Sequence, residues 1–518
     1  MKVPSKKSTV SSNPMSVRLL RQLFVLAATG MTACAVHAQA VGNSGMDDVD
    51  VLMPPLRNPS PAPRGVAEDR IAATKSTADA ADVATSARAE FDAFREKDKL
   101  LTFEAARQPG GVSEPTEFAR MRRFLDNRYE GLTVLKTLHV EERVFDCIPL
   151  HQQPALRDGS AVAMPPIRDD ERTNADSSAG ESCAEGGVPL ERISAEDMAR
   201  YPTLRSFLQG NHSPPPSETQ DGLIPMFPSS ARSAAPTAKK AASSQPHFWQ
   251  NLRTVPTAIT GNGATLNIWN PTTNYFTLEQ TWLYGYDSAN AVQSLEVGWQ
   301  KWNGGMPYLF AGSFVGGNYT AAQYSADFVQ VSSTTYPGTS YTGSQVSKAG
   351  GTQKTLWVNW QWNSSSATWW LWVNNGWVGY FKGSRFGSGP LGLAAMSAQM
   401  ASGSDNGALH FDVGGEIQNP DTGTPSVPMG SGQFASAGYQ QAAFAADIYY
   451  YDSQVVRQYT DLTTAIIVVD NPDCYTMSLA GVTPDQFSTP LPRGATTTQL
   501  NPLMTRNGLY FGGPGCSN

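Results

Sequence analysis

From residue 247 to the C-terminus the chain holds only three glutamates, Glu279, Glu296 and Glu416, so the setting of each is informative. In LEVGWQKW, strand alternation puts Glu296, Gly298 and Gln300 on one face and Leu295, Val297 and Trp299 on the other. In HFDVGGEIQ the same rule aligns His410, Asp412, Gly414, Glu416 and Gln418 opposite Phe411, Val413, Gly415 and Ile417. Each glutamate then shares a face with a glycine, which leaves room for another backbone to approach. Two carboxylates in one partly desolvated cleft cannot both ionise easily: one keeps a proton in mild acid while the other is a base. That division of labour is what hydrolysis needs. On composition alone, two solvated strand glutamates are the commoner reading.

Competing chemistries are poorly supplied. Histidine in this half is limited to His247 and His410, and no G-x-S-x-G elbow accompanies them. Neither HExxH nor a close cysteine pair is present, so no metal site and no cofactor is expected. The net charge of -7 and the lack of a basic cluster beside the aromatic stretches exclude a nucleic-acid footprint. Around the glutamates, Gln300, Trp299, Gly298, Gly414 and Gly415 are the candidate substrate-binding positions. His410 and Asp412 read as a polar pair facing water, and Glu279 as structural.

The elements that must position these residues are strands. All 12 tryptophans lie between Trp249 and Trp377, and short runs such as LWVNWQW, TWWLWV and GWVGYF are separated by NSSSA and NNG turn chemistry. An all-β fold follows, an antiparallel sandwich or jelly roll, with Trp357, Trp370 and Trp372 expected as core. Upstream, a basic stretch, the run LFVLAATGMTACAV and Val36-His37-Ala38 read as a signal peptide over 1–38, although Cys34 also allows a lipoprotein reading. Residues 39–90 are expected to be a disordered segment, with helical spacing setting in along the Ala/Glu/Lys-rich stretch from 71 to 106. Residues 91–208 form a small α+β domain, in which Ser194 and Asp197 resemble a helix N-cap. A proline-studded linker spans 209–246. Past the leader no run of eighteen apolar residues occurs, so the mature form is expected off the membrane, secreted or periplasmic. Of the three connectivities open to the four remaining cysteines, Cys147 with Cys183 and Cys474 with Cys516 keeps each bridge within one half.

GATLNIWNP, Gln280-Thr281-Trp282-Leu283, SLEVGWQ, VGGEIQN, MGSGQFASAGYQQAAF and the closing DCYT and YFGGPGC together resemble, in order, the blocks of the neprosin family of glutamic peptidases. VFDCIPLHQQPAL resembles that family's activation peptide. The resemblance implies a β-sandwich catalytic domain over 247–518 with Glu296 and Glu416 as the two catalytic glutamates. It also implies a precursor whose N-terminal domain is an intramolecular inhibitor, released in acid, and a preference for cutting protein or peptide substrates after proline. The product is expected to be a monomeric endopeptidase. The residues by themselves leave two other readings open: a jelly-roll glycoside hydrolase, which also pairs carboxylates, and a carbohydrate-binding module.

Overall fold

A computed structural model describes residues 76–166, 181–209, 246–254, 258–301, 304–316, 318–402, 409–419, 423–462, 465–479 and 507–516. The expected signal peptide and nearly all of the linker lie outside them.

The N-terminal region begins earlier than residue 91. Its first helix, α1, runs Ser76–Leu100, followed by α2 (Phe103–Ala106), α3 (Pro115–Tyr129), β1 (Lys136–Val140), β2 (Arg143–Pro149), β3 (Gly187–Glu191), α4 (Ala195–Ala199) and α5 (Leu204–Gln209). The apolar positions of α1 and α3 meet in a small core, where Phe91, Phe118, Met121, Phe124 and Leu125 pack against Ile148 and Val188 of the three-stranded sheet β1-β2-β3. Ser194 caps α4 as the sequence suggests. Its hydroxyl accepts from the Asp197 N–H at 3.0 Å, and the Asp197 carboxylate accepts from the Ser194 N–H at 3.1 Å. Cys147 and Cys183 are bonded, tying β2 to the segment before β3.

The remaining chain is nearly all strand. It comprises β4 (His247–Arg253), β5 (Gly261–Asn267), β6 (Thr277–Tyr286), β7 (Val292–Lys301), β8 (Tyr308–Val315) and β9 (Asn318–Ala321). These are followed by β10 (Phe328–Gln330), β11 (Thr355–Asn363), β12 (Thr368–Val373), β13 (Gly376–Lys382), α6 (Leu393–Ser402) and β14 (His410–Gln418). Last come β15 (Ala443–Tyr451), β16 (Arg457–Tyr459), β17 (Ile466–Val469), β18 (Thr476–Ser478) and β19 (Gly508–Gly512). One sheet has the order β10-β13-β12-β11-β5-β15-β19-β18 with β16 against β15, and the other has the order β17-β4-β14-β6-β7-β8-β9. This is the expected antiparallel β-sandwich. The meander β11-β12-β13 turns where the sequence places its turn residues, with Asn374 in the left-handed region at φ 51°.

Alternation along each strand divides the aromatics. Trp299, Trp360, Trp362, Trp369, Leu371 and Phe411 fill the space between the sheets. Trp357, Trp370 and Trp372 are buried but face outward, joining Trp377, Tyr380, Tyr449 and Tyr451 beneath Ala155 and Leu156 of the N-terminal region. Glu279 points into the interior, where it accepts from the Asn267 N–H and from Trp299 Nε1. Burial pushes its carboxyl well above the usual range despite those bonds.

Cys474 and Cys516 are bonded, closing a loop with sequence separation 42. A loop of that length is worth ~4 kcal/mol on the chain-entropy account. Replacing both cysteines by serine is expected to lower the urea midpoint accordingly, and an unchanged midpoint would refute this. Among the described residues no helix is long and apolar enough to cross a membrane.

Candidate active site

Both glutamates stand on the same face of the seven-stranded sheet, the one turned away from the other sheet. The registers show how. β6 lies between β14 and β7, with Glu416 opposite Leu278 and Leu278 opposite Gln300, while Glu296 is opposite Trp282 and Trp282 opposite Asp412. Residues directly opposite share a face, so three rows cross the sheet. The first runs Arg253, Asp412, Trp282, Glu296, Gly312; the second Asn251, Gly414, Gln280, Gly298, Phe310; the third Trp249, Glu416, Leu278, Gln300, Tyr308. Glu296 and Glu416 are therefore diagonal, two strands and four residues apart. On a flat sheet that is about 10 Å across by about 13 Å along. The line between them runs over the glycine row, with the Gln280 side chain at its midpoint.

Both carboxylates bear on one phenol. The Tyr319 hydroxyl is pushed well above its ordinary range, first by burial, then by the charge of Glu296, with smaller contributions from Tyr308 and Glu416. Its ring covers Gly312, where an added Cβ would fall 2.1 Å from the hydroxyl oxygen. Glu296 is 2% exposed and accepts from the Ser294 hydroxyl at 2.8 Å. Glu416 is 1% exposed and meets His247 Nδ1, whose ring stacks on Trp249. Gln300 donates to the Tyr308 hydroxyl at 2.6 Å.

Three expectations are corrected. Trp299 and Gly415 face the interior of the sandwich. The indole of Trp299 is fully buried and donates to the Asn267 carbonyl, and a Cβ on Gly415 would lie 2.6 Å from the Phe511 ring. Alternation puts both on the face opposite the glutamates, so neither lines the cleft. His410 and Asp412 do not face water either: His410 stacks on Tyr284, and Asp412 is wholly buried, bonded by Asn251 and by Arg253 Nε at 3.2 Å. Gly298 and Gly414 do lie on the cleft face, and the structure adds a reason for them. A Cβ there would fall 2.0 Å from the Glu279 carbonyl oxygen and 1.9 Å from that of Gln250.

His247, at the edge of the proline-rich linker, is a residue of this face to which the sequence assigns no role. The scarcity of histidine was the available signal. Other buried polar atoms of this face have no hydrogen-bond partner in the structure: Asn251 Oδ1, Arg253 Nη2, Gln280 Oε1 and Trp282 Nε1. Among the described residues no group of three His, Cys, Asp or Glu side chains could hold a metal ion.

Burial raises the Asp412 carboxyl from 3.8 to about 6 against the pull of Arg253, which its partner keeps charged. Asp447, partly exposed and near Thr265 and Arg457, also rises to about 6 through burial. A carboxyl that binds its proton more tightly folded than unfolded adds stability that is complete below pH ~4 and lost as pH rises through ~6. For Asp412 the rise is worth at most roughly 3 kcal/mol. The melting temperature at pH 4.5 is expected to exceed that at pH 7.5, and Asp412→Asn to shrink the gap. A melting temperature that climbs steadily towards pH 7.5 would contradict this.

Comparison with known proteins bears on the sandwich as a whole. The Neprosin family model matches residues 273–514, which span β6 to β19 and include both glutamates. Among solved structures, scytalido-glutamic peptidase with a transition state analog inhibitor is similar at a TM-score of 0.25 and 12% identity, over 45% of this chain and 94% of that one. SCP-B, a member of the eqolisin family of peptidases bound to the tripeptide Ala-Ile-His, is similar at 0.23 and 11% identity, over the same shares. Likeness that distant adds nothing to the family match itself. The C-terminal β-sandwich of this chain matches the Neprosin family over those residues, and the chain is a peptidase.

Proposed function

We propose that the chain is the exported precursor of a glutamic endopeptidase that hydrolyses peptide bonds in acid with Glu296 and Glu416. The observation that carries this reading is the placement of two buried carboxylates on one sheet face, on either side of a row whose flanking positions are glycines. In the reaction a water lies between the two side chains. The ionised glutamate takes a proton from the water as its oxygen bonds to the scissile carbonyl carbon. The other glutamate, protonated, donates a hydrogen bond to the carbonyl oxygen and stabilises the oxyanion. The proton held by the base then passes to the leaving nitrogen as the C–N bond breaks, giving a free amine and a carboxylic acid. No covalent intermediate forms.

The N-terminal region acts as the inhibitor in this reading, and its contacts support that role. Arg143 lies over the ring of Tyr308, at the end of the row that carries Glu416 and Gln300, and donates to Ser340 Oγ at 3.0 Å. Gln153 bonds edge strand β10 with both ends of its amide, donating to the Gln330 carbonyl and accepting from its N–H, each at 2.8 Å. α5 packs on β9, which carries Tyr319. Since His247 meets Glu416, the mature chain begins at or before His247. A cut after Pro246 would meet that condition and would fit a preference for cleavage after proline.

The test is digestion of an unfolded protein by the acid-treated chain. Cleavage at pH 3 to 5 that persists with a metal chelator and a serine-directed reagent is expected. Cleavage confined to neutral pH, or abolished by either reagent, would overturn the assignment.

A further inference from the structure

We propose that Gln280 is a third catalytic group, its amide oxygen holding the attacking water between the two glutamates. This rests on the Glu296/Glu416 reading above and adds a residue to it. Gln280 is central on β6, opposite Gly414 on one side and Gly298 on the other. Glu416 lies one strand away on one diagonal and Glu296 one strand away on the other. In the strand register, Gln280 is the position midway between them.

The amide is 3% exposed, yet its Oε1 has no hydrogen-bond partner in the structure. Leaving a buried acceptor unmatched is unfavourable, and a leucine or methionine would fill the same space without that cost. The glycines on both sides supply no donor from their side chains, and their own neighbours prevent any larger residue from supplying one. A water lying over the glycine row would match this acceptor. It donates one proton towards the ionised glutamate and the other to Gln280 Oε1, which leaves a lone pair free to aim at the scissile carbonyl carbon. Gln280 gains and loses no proton. It fixes the direction of attack where two carboxylates, two strands and four residues apart in the register, would hold the water less firmly.

Gln280→Met keeps the volume and removes the acceptor, and Gln280→Glu keeps an oxygen in place. Each full-length variant is first nicked with trypsin after Arg232 or Lys240, the trypsin is then quenched, and hydrolysis of a fluorogenic peptide is followed across pH 3 to 6 beside wild type, Glu296→Gln and Glu416→Gln. Gln280→Met is expected to lower kcat about 100-fold with KM within about threefold, and to melt no lower than wild type because an unmatched polar group has gone. Gln280→Glu is expected to recover at least about tenfold of that loss. A Gln280→Met enzyme with kcat within about threefold of wild type, while both glutamate variants are inactive, overturns the role of Gln280 and leaves the dyad standing. A loss carried by KM instead, or no recovery in Gln280→Glu, also overturns it. Retained activity in either glutamate variant overturns the dyad, and this proposal with it.

Discussion

Glu296→Gln and Glu416→Gln are each expected to cut kcat/KM by about 1,000-fold or more, with the melting temperature within a few degrees of wild type. The amide matches the carboxylate in shape. It can still accept from the Ser294 hydroxyl at position 296, so folding has little to lose. It can neither take a proton from water nor carry one to the carbonyl, so whichever role each glutamate plays, that role ends. Because the two act as a unit, the double variant is expected to be no worse than the poorer single one. Peptide hydrolysis by nicked, quenched samples measures this, and unchanged turnover in either single variant rules out a shared site.

Alanine at Gly414 or Gly298 is expected to destabilise the sandwich by ~4 kcal/mol or more, among the largest effects a single methyl can have. The added carbon would meet a backbone carbonyl oxygen at 1.9 Å in one case and 2.0 Å in the other, with a neighbouring Cα at 2.8 and 2.7 Å. Neither obstacle is a flexible side chain. Relief requires β14 to part from β4, or β7 from β6, and each of those pairs is held by a continuous antiparallel ladder. Gly376→Ala is the control, since an added carbon there meets nothing within 4 Å. Urea midpoints compare the three, and similar midpoints for all would show that the strands yield easily.

Much of the site was legible in the sequence because a two-residue period is a local property. LEVGWQKW and HFDVGGEIQ each place their glutamate on the polar face, and the registers keep that phase over the whole of β7 and β14. The turns of the β11 to β13 meander and the cap of α4 were readable for the same reason. What the sequence could not show is which strand lies between two others. The insertion of β6 makes the glutamates diagonal, sets Asp412 in line with Glu296, and puts Gln280 between the two acids. Trp299 and Gly415 are near a glutamate in sequence, but the two-residue period faces both inward. Asp412 was read as a solvated strand-end residue, but β4 pairs along that strand and brings Asn251 and Arg253 over it. Helix α1 starts at Ser76, ahead of the boundary drawn at residue 91, within the Ala-rich stretch where helical spacing was already visible.

The account depends on Glu296 and Glu416 reaching the same reacting atoms. The most direct measurement is a crystal structure of the processed enzyme with a peptide whose scissile carbonyl is replaced by a tetrahedral phosphinate. Both carboxyl groups are predicted to lie within hydrogen-bond distance of the phosphinate oxygens. A complex in which the phosphinate touches only one of them, or binds on another face of the sheet, would contradict the account.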